Sequence, residues 1–320
     1  VKIVFLLALL AAGYAFRKSR PGGGRSSEVS FLLNRWVIRV ALPSLVLLKI
    51  HSLPSVSLSD PAVLLPASQP WLQFFLALIA VTLAARALGW SRTVWGALVM
   101  TIGLGNTSFV GLPLLEAVLG PGALPTGVLQ DQLGSFLVLS LVGVPFAQTV
   151  ASNSRTSRGG SGSGLAFLLR PIRFPAFLAL VAALLLASVP FPRWFESLLE
   201  VLAWSLSPAA LLSVGMSMSL GAAKKRSIRL PLAFGLAMKL VVFPTVMVLL
   251  YPALARAAGG LEPLVLQTLL LEAAMASQIT GGVVAADQGL EPELARLMVG
   301  LSIPLSLATV PLWKLWVCQL

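Results

Sequence analysis

The chain has 320 residues, of which 57% are hydrophobic and 11% charged, and its mean hydropathy is +0.92. Soluble domains keep about a quarter of their residues charged, so this composition excludes a soluble protein and places the chain in a membrane. One cysteine, Cys318, excludes a disulfide framework, and the net charge of +12 points to nucleic acid only if the positions of the 23 basic residues allow it.

A helix crosses about 30 Å of hydrocarbon with about 20 apolar residues. Ten windows of that kind are predicted, at 1–16, 32–50, 71–90, 93–120, 124–150, 170–190, 197–220, 229–252, 262–285 and 294–318. The first, VKIVFLLALLAAGYAF, has a signal-like Lys2 and a small-residue Ala11-Ala12-Gly13, but the basic RKSR behind it favours a true span over a cleaved leader. Trp71, Trp90 and Trp194 stand near window ends and read as interface anchors.

Alternating sides through ten spans puts seventeen of the 23 basic residues on one face. They include Arg17, Lys18, Arg35 and Arg39 near the first two windows, Arg155, Arg158, Arg170 and Arg173 in the middle, and Lys224, Lys225, Arg226 and Arg229 after the seventh. By the positive-inside rule that face is cytoplasmic and both termini lie outside, in a plasma membrane. The positive charge is then a topology signal, and no nucleic-acid partner is expected.

The polar, glycine-rich 152–167 reads as a cytoplasmic linker between a first unit, 1–151, and a second, 168–320. Leu139-Ser140-Leu141-Val142-Gly143-Val144-Pro145 returns 166 residues later as Leu305-Ser306-Leu307-Ala308-Thr309-Val310-Pro311, and Leu42-Pro43 is echoed by Ser207-Pro208. Duplication of a five-span unit inverts the second copy, because an odd number of crossings reverses the next entry. Inverted repeats are an architecture of secondary transporters, with the substrate site between the repeats near mid-membrane.

The fourth window carries Gly103, Gly105, Asn106, Thr107, Gly111 and Pro113 in its middle, which predicts unwound backbone there. Unwound backbone at that depth lines a wet cavity or is buried in protein. Adding 166 to Asn106 reaches Glu272, followed in the ninth window by Ala276, Ser277, Gln278, Thr280 and two glycines. Two polar breaks in corresponding windows point to a transport site, although close packing of small residues is a competing explanation. Candidate substrate-binding residues are Gly105, Asn106, Thr107, Gly111, Pro113, Ala276, Ser277 and Gln278.

GNTSFVGLPL, ALPSLVLL at 41–48, KLVVFP at 239–244 and the tail AADQGLEPELARLMVGLSIPLSLATVPL resemble the auxin efflux carrier family, including bacterial members known as malate permeases. The resemblance covers nearly the whole chain. It implies an all-α polytopic membrane protein, with ten transmembrane helices in two inverted five-helix repeats and broken helices four and nine crossing at mid-membrane. It also implies organic-anion substrates and a homodimer. Family members usually have proline at the helix nine crossover, where this chain has Met275-Ala276-Ser277.

An ionisable side chain in mid-membrane costs about 2.5–3.5 kcal/mol on insertion scales, so each one asks for a reason. Lys239, Asp131 and Glu272 are candidates for neutralising the anion or exchanging partners during a cycle, against the alternative of a static buried ion pair. Glu116 lies near the predicted outer mouth. With one histidine and one cysteine, no metal site of the HExxH or thiolate kind exists, and no GxxxxGK[ST] phosphate loop is present. No cofactor is expected. The coupling ion, proton or sodium, stays open, since Asn106, Thr107 and Ser277 could supply oxygens to sodium. A secondary carrier exporting small organic anions is the expected function, with a passive channel or a sodium-coupled symporter as alternatives.

Overall fold

A computed structural model describes residues 2–19, 24–51, 60–156, 175–186, 189–218 and 220–319. Most of the expected linker, together with Arg158, Arg170 and Arg173, lies outside the described residues. The described residues are mostly helical, and helical segments fall in all ten predicted windows. We number them α1 (Lys2–Lys18), α2 (24–51), α3 (Pro61–Leu88), α4 (Arg92–Ile102), α5 (Thr107–Leu119), α6 (121–156), α7 (Pro175–Leu185), α8 (Arg193–Ser217), α9 (Arg226–Ala257), α10 (Pro263–Ala273), α11 (Ile279–Asp287) and α12 (Pro292–Val317). Among the described residues six helices are long and apolar enough to cross a membrane: the Glu28–Leu48 part of α2, α3, the Pro121–Ala151 part of α6, α8, α9 and α12. The halves α4, α5 and α10 are shorter apolar helices.

Several helices start earlier than their windows. The α3 helix begins at Pro61, because Asp60 caps it by accepting from the Ala62 amide at 2.9 Å and Pro61 suits the first helical position. Pro66 and Pro70 then sit inside the helix, where a soluble helix would end. Trp194 is 69% exposed, as an interface anchor should be. Trp71 and Trp90 are instead tied to the protein: the Trp71 indole donates to the Leu133 carbonyl at 3.1 Å, and Trp90 meets Phe234 edge-on.

Wide, π-helical turns occupy 37–41, 107–111, 139–143 and 238–242, and each ends two residues before a proline: Pro43, Pro113, Pro145 and Pro244. Proline cannot donate to the carbonyl four residues back and clashes with it, and widening that turn relieves the clash. One freed carbonyl, that of Leu240, accepts from the Trp313 indole at 2.9 Å, which ties α9 to α12. A fifth wide turn, 130–136, has no such proline and carries Asp131.

Helix α1 packs on α8 with Gly13 against Gly215, so closely that a methyl on either would strike the other helix's backbone. Small residues permit this approach, which membrane helices use in place of a hydrophobic driving force. The buried apolar residues form two clusters, one enclosing α4 and α11, the other α5 and α10. The first half of each broken helix thus lies beside the second half of the other, and the breaks lie between the clusters.

Candidate functional site

Helix α4 ends at Ile102 and α5 begins at Thr107; α10 ends at Ala273 and α11 begins at Ile279. The two gaps meet. Gly105 and Ser277 form an antiparallel bridge, in which the Asn106 amide donates to the Ala276 carbonyl at 2.8 Å and the Gln278 amide to the Leu104 carbonyl at 3.0 Å. Exchanging these two bonds maps Leu104 onto Ala276, Gly105 onto Ser277 and Asn106 onto Gln278, so the crossing has local two-fold character with a register of 172 residues. Glu272, expected opposite Asn106 from the 166-residue offset, lies inside α10, and the break follows it. The 166-residue spacing belongs to the match between 139–145 and 305–311, and the bridge has its own spacing of 172 residues. The break also forms without proline: the backbone of Ala276 takes its place in the bridge, so the departure from the family pattern does not remove the interruption.

Backbone freed at the breaks must find partners inside the protein. Ser302 of α12 accepts from the Ser277 amide at 3.0 Å. A chain of glutamines serves the other ends. Gln73 donates to the Ile102 carbonyl at 3.2 Å, Gln69 to Gln73 at 2.8 Å, and Gln130 both to Gln69 at 2.7 Å and to the Leu269 carbonyl at 3.3 Å. All three glutamines are buried, and together they connect the end of α4 to the last turns of α10. Sequence reasoning passed over them, because an isolated amide in an apolar span has no periodic signature. The available signal was their spacing: Gln69 and Gln73 stand four apart, on one face of α3.

Two helix starts, those of α5 and α11, converge at the crossing, and each presents the partial positive charge of its free amides. Asn106 stands before α5, its Oδ1 receiving the Val110 amide at 3.4 Å and its Nδ2 without a partner although the residue is 1% exposed. Gln278 stands before α11 with no side-chain cap bond, and its Oε1 is unpartnered. A narrow cavity at this point is lined by Asn106, Thr107, Ser108, Gln278 and Thr280, walled by Leu45 and Phe136. Two amides, three hydroxyls and two helix starts surround a space of about 10 Å³, room for about one water molecule.

The remaining predicted residues divide around this cavity. Asp131 stands behind its hydroxyl wall, where Thr107 donates to Oδ1 at 2.7 Å and Ser108 donates to the same oxygen. Ser277 is fully buried at the bridge with its hydroxyl unpartnered. Lys239 and Glu272 do not line the cavity. The Lys239 ammonium lies 3.4 Å from where a Gly105 Cβ would stand, and the Glu272 carboxylate lies against Gly111 and Gly127. Glu272 is within electrostatic range of both Lys239 and Asp131, yet neither Lys239 nor Glu272 makes a side-chain hydrogen bond, and no ion pair joins them. The static buried pair weighed from sequence is therefore not what forms. Gly111 serves as the floor beneath Glu272, and Pro113 acts through the wide turn it imposes on 107–111. Glu116 is exposed near the end of α5, away from the crossing.

The family described as "Membrane transport protein" matches residues 1–314 of this chain. An uncharacterized transporter of Methanothermobacter thermautotrophicus is 25% identical over 313 residues, covering 98% of this chain and 96% of the relative. An uncharacterized transporter of Methanocaldococcus jannaschii is 23% identical, covering 97% and 96%. A Rhizobium meliloti protein named "putative malonate transporter" is 26% identical over 287 residues, covering 87% and 84%.

Proposed function

This chain belongs to the membrane transport protein family, the auxin efflux carriers that its motifs resemble, and from that premise we propose that it is a secondary carrier exporting small organic anions by alternating access. The family and the relatives are transporters, not enzymes. The observation that carries the reading is the crossing of the two broken helices, with Asn106 and Gln278 exchanged by its local two-fold and polar atoms on both left without partners.

In this account the ten helical segments are two five-helix repeats of opposite orientation, with the termini outside and the middle of the chain cytoplasmic. The return of Leu139–Pro145 at 305–311 and the breaks in two corresponding windows support inversion, and the basic residues support the orientation. The anion's carboxylate sits between the α5 and α11 starts, held by the side-chain amides of Asn106 and Gln278 and the helix dipoles, with Thr107, whose proton goes to Asp131, in the wall. Gly105, Ala276 and Ser277 form the backbone floor, Gly111 and Pro113 set the turn above it, and Lys239 supplies the nearest positive charge. Asp131, which receives two hydroxyl donors, balances that charge. The relative named for malonate makes a small dicarboxylate the first substrate class to try, and a homodimer in the plasma membrane is the expected assembly.

A channel would share the broken helices, so kinetics separate the two. Purified protein in proteoliposomes should take up labelled malonate saturably, and faster when malonate is present inside. Ohmic single-channel current carried by malonate would replace the carrier with a pore.

A further inference from the structure

The region behind the crossing holds three ionisable side chains, each at most 2% exposed: Lys239, Asp131 and Glu272. Fully ionised they sum to one negative charge, and an uncompensated charge buried there costs several kcal/mol. The carboxylates are provided for differently. Asp131 receives two hydroxyl donors, from Thr107 and Ser108, which suits a charged group. Glu272 receives none on either oxygen. Its oxygens rest on glycines: a Cβ on Gly111 would lie 2.7 and 2.9 Å from them, and one on Gly127 3.4 Å away.

Among the described residues no other group supplies the missing positive charge. The α3 helix offers the neutral Gln69 and Gln73, and α6 offers Asp131 and Gln130. From α9 come Lys239 and the Tyr251 hydroxyl, the latter hydrogen-bonded to Ser68. In α12 the Lys314 ammonium donates to the Val118 carbonyl, Ser302 binds the bridge, and Arg296 is four residues from the start of that helix; α5 contributes only the exposed Glu116. A sodium ion among Asn106, Thr107 and Ser277 would share the crossing with the ammonium of Lys239, which already lies against Gly105.

We propose that Glu272 is a proton-binding site and that the coupling ion of this carrier is the proton. The coupling rests on the carrier reading above; the site rests on the buried charges alone. A proton on Glu272 balances the cluster and leaves the Lys239 ammonium free to face an anion at Asn106 and Gln278. Loss of that proton to water gives Lys239 a competing carboxylate. Anion occupancy and protonation of Glu272 therefore favour each other, reciprocally, as linkage requires.

Infrared spectroscopy of the protein reconstituted in lipid, in sodium-free buffer at about pH 7, reads the site without substrate. Exposed carboxyls are ionised there, so a carboxylic C=O band reports a buried protonated acid. The band should be present in the wild type, disappear in Glu272→Gln and persist in Asp131→Asn. Should Glu272→Gln not fold, wild-type protein grown with side-chain carbon-13 glutamate should show the band shifted. Absence of the band, its survival in Glu272→Gln, or no isotope shift would overturn the proposal. A band together with no malonate counterflow would remove malonate as the substrate and leave the proton site standing.

Discussion

Gly105 and Ser277 face each other as an antiparallel bridge in which each strand gives one hydrogen bond and receives one, although they stand 172 residues apart. Two backbone bonds hold together the ends of four half-helices, and the buried side chains around them complete the unsatisfied groups. Such a junction joins residues of the two halves of the chain through the backbone, besides the packing of α1 on α8. Movement of that junction against the surrounding helices is a way to present one site to either side of a membrane.

Gly111 has no room for a side chain, because a Cβ there would lie 2.7 and 2.9 Å from the Glu272 oxygens and 3.0 Å from the Asn106 carbonyl. Gly111→Ala should destabilise the protein by about 1–3 kcal/mol, as overpacking does, and abolish transport. Gly105→Ala meets only the flexible tip of Lys239 at 3.4 Å and should cost less. Thermal unfolding of the two variants in detergent checks the order; equal stability would mean that the Glu272 carboxylate is not seated on Gly111.

The glutamine chain predicts a network energy. Gln130→Leu removes the donor to Gln69 and to the Leu269 carbonyl, and leaving buried partners unsatisfied costs about 1–3 kcal/mol. Gln69→Leu should cost a similar amount, and the double variant less than the sum, since both act on one chain. Strict additivity in thermal unfolding would show that the amides are not coupled.

These glutamines mark where the sequence stops being readable. The first break was legible, because three glycines, an asparagine and a proline in one apolar span leave little else to infer. The second break is legible too, but the 166-residue spacing of the 139–145 and 305–311 match leads from Asn106 to Glu272, six residues short of Gln278, which the bridge relates to Asn106. The wide turns were legible in principle from Pro43, Pro113, Pro145 and Pro244, since the steric cause is local. The surroundings of Lys239, Asp131 and Glu272 are not legible, because depth counted along a helix says nothing of the angle around it.

Lys239 has no hydrogen-bond partner and is fully buried beside the crossing. Lys239→Gln should lower malonate transport at least about tenfold, because the anion loses its nearest positive charge in a low-dielectric site. Folded yield should fall somewhat, since Asp131 is left as the cluster's uncompensated charge, so transport is compared at equal reconstituted protein. Unchanged rate, affinity and pH dependence of transport would exclude a role for the ammonium.

Cys318 is the chain's one cysteine and is exposed at the end of α12. It reports the proposed orientation without engineering. A membrane-impermeant maleimide should label it on intact cells, placing the C-terminal end outside. Labelling only after permeabilisation would reverse the assigned topology.

Asn106 is the residue on which the site depends most. Its side chain makes one long bond, to the Val110 amide at 3.4 Å, so Asn106→Ala should lower stability by no more than about 1 kcal/mol. Counterflow of labelled malonate into malonate-loaded proteoliposomes, compared between wild type and this variant at equal reconstituted protein, tests the crossing as the transport site. The account predicts saturable counterflow in the wild type and none above background in the folded variant. Counterflow at the wild-type rate in Asn106→Ala would contradict it.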